Sequence, residues 1–294
     1  MDKESSVTER EKTGGEPLIR ILHPSDFSKS SRVAFAHALK IALQSKAELE
    51  LVHVQRHKIG SAKDVHWIEF PGVRATLARW QLLPADAKPE GIPHLRVKKV
   101  LNSENDPLEA MLAYCEEYPP DVLVLATHQR DGLSRWLHKA VAEPLARRSR
   151  AMTLFVPESA SGFISPDDGA VSLRRILVPV DHTPSAQAAL EEAFFLASSF
   201  DRPGVIFKLL HIGTDKAMPT LYLPHRQGWR WEESVVPGDP VERILKEAAY
   251  WSPDLIVMAT QGHRDFLDAL RGSTTERVLR GVQCPVLAVP DKSA

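Results

Sequence analysis

Cysteine is nearly missing from this chain: Cys115 and Cys284 stand far apart, with no C-x-x-C pair. That excludes a disulfide framework and a thiolate zinc finger, and it fits a reducing compartment. A surplus of either charge is missing too. The 37 Lys plus Arg against 38 Asp plus Glu leave a formal charge of -1, too little for a protein that grips nucleic acid chiefly through its phosphates. Residues 1–15 are polar and charged rather than apolar like a secretory leader, and no run of about 18 apolar residues could span a membrane. The expectation is a soluble, cytoplasmic protein whose partners include neither nucleic acid nor membrane. Also absent are G-x-G-x-x-G, G-x4-G-K-S/T, G-x-S-x-G and H-E-x-x-H, and no nucleophile with an evident base stands out, which argues against a dedicated catalyst.

What is present is ordinary globular material, 43% hydrophobic and 26% charged, which excludes wholesale disorder. At roughly 150 residues per domain, 294 residues hold two domains, each able to bury its own core. The chain is in fact written twice. Ile21-Leu22-His23-Pro24-Ser25-Asp26 recurs as Ile176-Leu177-Val178-Pro179-Val180-Asp181. Asp106-Pro107 matches Asp239-Pro240, Ala126-Thr127 matches Ala259-Thr260, and Val156-Pro157 matches Val289-Pro290 at a shorter spacing, so the first copy has the longer middle.

Each copy alternates strand-like and helix-like segments, the pattern of a parallel sheet with crossover helices. In the first copy the reading is strands at 18–23, 48–54, 122–127 and 152–156, with helices at 30–44, 107–117 and 140–147. An extra helix over 71–83 is carried by Val73, Leu77 and Trp80 at helical spacing. In the second copy strands fall at 175–180, 205–211, 254–260 and 285–289, and helices at 184–199, 240–249 and 274–280, the first with Thr183 as N-cap and Pro184 in its first turn. Residues 213–231, rich in proline and aromatics, read as a loop in which Trp229 and Trp231 cover their own domain's core. The boundaries expected are a disordered 1–16, a first domain 17–157, a Ser/Gly/Asp/Pro linker 158–173 and a second domain 174–291. Because each copy ends in an apolar strand, the closing strands 153–156 and 286–289 should pair across a pseudo-twofold axis, making an intramolecular pseudo-dimer.

The V-P-x-D of Val178 to Asp181, the Leu210-His211-Ile212 ending the next strand, Gly132-Leu133-Ser134-Arg135, and the closing Cys284-Pro285-Val286-Leu287-Ala288-Val289-Pro290 together resemble the universal stress protein family in its tandem form. The resemblance implies two doubly wound, parallel, five-stranded Rossmann-like α/β domains. It also implies a G-x2-G-x9-G-S/T phosphate motif, which falls here on Ala259, Gly262, Gly272 and Ser273. Glycine lets phosphate approach the backbone, and a helix opening at Ser273-Thr274 offers free N–H groups to an anion. The resemblance counts Pro179, Val180 and Thr274 among the nucleotide-binding residues and places Asp181 on the ribose or adenine side, the backbone of Ile212 at the adenine edge, and Met258 in the base pocket. The departure is Ala259, whose methyl matters if that position needs a positive φ or touches the ligand. In the first copy the motif reads Ala126, Gln129, Lys139 and Ala140, so that seat is degenerate.

The function implied is a stress-response regulator that binds ATP in its second domain, with Mg²⁺ as a candidate companion and an unidentified protein partner. A homodimer of whole chains, a non-binding adaptor that works through protein contacts, and a slow ATPase remain alternatives. Asp26 and Asp181 also suit a capping role without any ligand. His23, His53 and His128 fall at strand ends near Asp26 and could converge on a metal. His53, however, is matched by His211 in the other copy, and no metal site is assigned.

Overall fold

A computed structural model describes residues 19–25, 29–54, 72–84, 95–102, 106–127, 142–157, 162–261 and 273–291. The first half runs β1 (Arg20–Pro24), α1 (Lys29–Ser45), β2 (Glu48–Val54), α2 (Val73–Arg79), β3 (Arg96–Asn102), α3 (Pro107–Glu117), β4 (Val122–Thr127), α4 (Ala142–Ser149) and β5 (Met152–Pro157). The second runs β6 (Arg175–Val180), α5 (Ala186–Ser199), β7 (Ile206–Ile212), a 3-10 turn (Asp215–Ala217), β8 (Arg230–Val236), α6 (Pro240–Trp251), β9 (Leu255–Thr260), α7 (Thr274–Gly281) and β10 (Val286–Pro290). Strands under crossover helices are covered on both faces and must be apolar throughout. Ile21 and Leu22 of β1, and Ile176, Leu177 and Val178 of β6, are accordingly buried. The matched Asp-Pro pairs start helices. Asp106 accepts the N–H groups of Leu108 and Glu109 at the head of α3, Asp239 accepts that of Glu242 at the head of α6, and each proline fills a position whose N–H would lack a partner.

The ten described strands form one sheet in the order β3-β2-β1-β4-β5-β10-β9-β6-β7-β8. Within each half the five strands are parallel; the join, β5 against β10, is antiparallel, with Leu287 opposite Leu154, Val286 opposite Phe155 and Ala288 opposite Thr153. Leu154 and Leu287 occupy the same place in the two copies. Each therefore faces its own counterpart while its neighbours exchange symmetrically, as a pseudo-twofold axis through that pair demands. The closing strands thus pair as their sequence suggested. Helices α1, α2 and α5 cover one face in a single apolar layer that crosses the join, and α3, α4, α6 and α7 cover the other.

Three expectations change. Strands β3 and β8 are additional to those read from the sequence, because Arg96, Lys98 and Lys99 in one and Arg230, Glu232 and Glu233 in the other break the apolar run. They are the two edges of the sheet, where charge blocks further pairing. Residues Arg230 and Trp231 consequently belong to β8 rather than to a loop. Trp231 nevertheless stacks on Phe207 at 4.2 Å and Trp229 meets Phe194 edge-on, so both tryptophans do cover their own core. Helix α5 begins at Ala186, not at 184. Its N-cap is Ser185, whose hydroxyl accepts the Gln187 N–H, and the Thr183-Pro184 bond ahead of it is cis.

The segment between the copies is ordered where it is described. Residues 162–173 form a small hairpin, bridged between Ile164 and Val171 and fastened to the first half. Phe163 is fully buried between the His37 ring, edge-on at 4.6 Å, and Phe200 of the second half at 6.0 Å. His37 Nε2 accepts the Phe163 N–H at 3.1 Å while Nδ1–H donates to the Val33 carbonyl at 2.8 Å. Burial holds this imidazole neutral, lowering its pKa from 6.5 to about 4. Arg79 donates to the Pro166 carbonyl, and Gly169, at φ +70°, lies flat on Trp80, whose ring would stand 2.6 Å from any Cβ there.

Candidate functional site

In the second half the chain leaves β6 toward β7 and β8, then crosses back to β9 and β10. The crevice at the carboxyl ends of β6 and β9 is therefore a topological switch point, the place where open α/β sheets bind ligands. It holds a cleft of about 310 Å³ lined by the ends of β6, β7 and β9 and the first turns of α6 and α7. Pro179, Val180, Asp181, Ile212, Met258, Ala259, Ser273 and Thr274 all contribute to its wall. The structure thus brings together eight of the ten residues named from the sequence; Gly262 and Gly272 lie outside the described residues.

Ser273 is the N-cap of α7, and its Oγ accepts the Glu276 N–H at 3.1 Å. The hydroxyl keeps its own proton to donate. The N–H groups of Thr274 and Thr275, in the first turn, have no intrahelical acceptor and stand at the positive end of the helix. Glu276 is buried and paired with Arg280 one turn on, which anchors the start of α7 beside the cleft. Asp181 is exposed, and its Oδ1 accepts the His182 N–H at 2.7 Å, so it caps its own turn and not the α5 helix. His182 Nε2–H reaches the Ala217 carbonyl and fastens this turn to the segment after β7. Ile212 lies one residue beyond the end of the β6–β7 ladder. Met258 belongs to the core on the α6 and α7 side, whereas Ala259 packs with the α5-side core, as alternation along a strand requires.

Five further lining residues carried no signal in the motif: Thr183, Pro184, Pro240, Ile244 and Gln261. They come from turns and from a neighbouring crossover helix. Thr260 and Thr275 also line the cleft; each follows directly on a residue named from the sequence, and strand or helix geometry from Met258 and Ser273 could have found them. Among the described lining residues there is no lysine, arginine or histidine, and Asp181 is the only acid. Neutral dipoles and hydroxyls thus dominate the described wall.

In the first half Asp26, His128, Gln129, Lys139 and Ala140 lie outside the described residues. His53 Nδ1 bonds the Ser25 carbonyl at 2.7 Å, and His211 Nδ1 bonds the matching Val180 carbonyl at 3.1 Å. In both copies this histidine ties the second strand to the end of the first. His23 Nδ1 bonds the Val124 carbonyl in the same manner. Among the described residues no group of three or more His, Cys, Asp or Glu is placed to hold a metal ion. Burial pushes both the Cys115 and the Cys284 thiols up to about 12, so neither is a thiolate near neutral pH. Nor, among the described residues, is any helix long and apolar enough to cross a membrane.

Comparison with known proteins agrees with this architecture. A universal stress protein of Methanocaldococcus jannaschii is 34% identical over 67 residues, 23% of this chain and 41% of that relative, so the match spans under half of the relative's length. Among solved structures, a universal stress protein from Archaeoglobus fulgidus aligns at a TM-score of 0.58 and 16% identity over 92% of this chain and 98% of that one. A functionally unknown protein from Pseudomonas aeruginosa PAO1 aligns at 0.58 and 14% identity over 94% of each. These two share the fold. The profile of the universal stress protein family matches residues 19–157 and 221–290, well over half of the sequence, and the chain belongs to that family.

Proposed function

We propose that this protein binds an adenine nucleotide, ATP with Mg²⁺ in the first instance, in the cleft of its second half and acts as a stress-response regulator in the cytoplasm. The observation that carries the reading is the head of α7. A helix N-terminus capped by a serine whose hydroxyl proton is still available opens onto a cleft at the switch point of the sheet, a ready seat for a phosphate. Around it Asp181, Ile212 and Met258 supply a carboxylate for a ribose, a strand end for a base edge and an apolar wall for a ring. The first half is proposed to hold no nucleotide, since Gln129, Lys139 and Ala140 replace the glycine, glycine and serine of the motif.

Calorimetric titration with ATP, ADP and AMP, with and without Mg²⁺, tests this directly. Saturable binding is expected, and Ser273→Ala should weaken it by about 1 to 2 kcal/mol, as one hydroxyl bond to a charged group is lost. No heat with any of the three nucleotides would contradict the reading.

A further inference from the structure

The wall of the cleft contains a polar group with nothing to bond. Thr260 closes β9, is 6% exposed and lines the cleft, yet its Oγ1 reaches neither a hydrogen-bond partner nor solvent. Its backbone is well held, since the carbonyl accepts the Asp291 N–H at 2.8 Å and Asp291 Oδ2 in turn accepts the Ser185 N–H. The side chain falls on the same face of the sheet as Met258, two residues earlier, and so on the side of the sheet that α6 and α7 cover. A buried hydroxyl without a partner lowers stability, and such groups are rare in folded proteins. A valine, of nearly the same shape, would avoid that cost.

We infer that Thr260 is a ligand-contacting residue, whose hydroxyl completes its hydrogen bonding only when an anionic oxygen of the ligand occupies the seat at the head of α7. This rests on the proposed nucleotide binding and assigns a further contact within it. Rotation about χ1 exchanges Oγ1 with Cγ2 between staggered positions, so the hydroxyl of this cleft-lining residue has a second direction in which to bond. The bound phosphate oxygens then meet Thr260 Oγ1–H beside Ser273 Oγ–H and the N–H groups of Thr274 and Thr275. In the empty protein the hydroxyl lowers stability; in the complex it contributes affinity.

The test compares wild type, Thr260→Val and Thr260→Ser by thermal unfolding without ligand and by calorimetry with ATP and with AMP. Thr260→Val should unfold at the same or a higher temperature than wild type when empty, and should bind nucleotide about tenfold more weakly. Thr260→Ser, which keeps the hydroxyl, should bind within about threefold of wild type. If the valine variant binds as wild type does, or if it is less stable when empty and keeps its affinity, the hydroxyl is structural and the inference is overturned. If wild type itself binds no nucleotide, both the binding reading and this contact fall together.

Discussion

At position 259 an alanine stands where the nucleotide-binding motif has glycine, and the structure decides what its methyl does. Ala259 is an ordinary strand residue of β9 and is not among the positive-φ positions, so glycine's conformational freedom is not required there. The methyl packs with the α5-side core, on the opposite face from Met258. Ala259→Gly should therefore leave nucleotide affinity within about twofold of wild type while lowering stability by about 0.5 to 1 kcal/mol, the usual cost of glycine inside a strand. Calorimetry and urea unfolding measure the two quantities. A large gain in affinity would show that the methyl obstructs the site.

At the scale of elements, the segment between the copies has the clearest energetic signature. Its hairpin is held by the His37–Phe163 bond, and His37 must stay neutral to accept it. The imidazole pKa falls from 6.5 to about 4 on folding, because burial removes water from the charged form. The unfolded chain thus takes up the proton first as pH falls. The stabilisation is fully present above about pH 6.5 and is lost progressively down to about pH 4, amounting to about 3 kcal/mol. His37→Ala should cost about 2 to 4 kcal/mol at pH 7.5, through the cavity and the orphaned Phe163 N–H. The difference between wild type and variant in urea unfolding should shrink on going from pH 7.5 to 4.5. A difference independent of pH would mean that the ring is not buried as a neutral acceptor.

The same segment shows what was legible in the sequence and what was not. Apolar runs such as Ile21-Leu22 and Leu287-Ala288-Val289, and caps such as Asp239-Pro240, are local signals and gave their elements to within a few residues. The hairpin is different: the contacts that hold it come from His37 and Trp80, remote in sequence, so its Ser, Gly, Asp and Pro composition marks a linker without showing its shape. Edge strands β3 and β8 were hidden because their charges serve to prevent pairing and so erase the usual strand pattern. In the cleft, residues of one contiguous motif were readable, whereas Pro240 and Ile244 arrive from a different crossover helix.

For the whole molecule, the antiparallel join makes one sheet of two copies and places Leu154 opposite Leu287 on the pseudo-twofold axis. Each side chain is buried within the core layer that crosses the join. Leu154→Ala and Leu287→Ala should each cost about 2 to 5 kcal/mol. Because the two positions share an environment, the double variant should depart from additivity by at least about 0.5 kcal/mol, measured by a double-mutant cycle in urea. Strict additivity would mean that the two leucines do not share one cavity.

The pseudo-symmetry of the fold is broken in the proposed function, since Gly262, Gly272 and Ser273 of the second copy correspond in the sequence to Gln129, Lys139 and Ala140 of the first. The most direct measurement is nucleotide per chain: purified protein saturated with ATP and Mg²⁺, freed of excess ligand, then denatured and the released adenine nucleotide counted by chromatography. About one nucleotide per chain is expected, reduced by Ser273→Ala. None would contradict nucleotide binding, and two per chain would contradict its confinement to the second half.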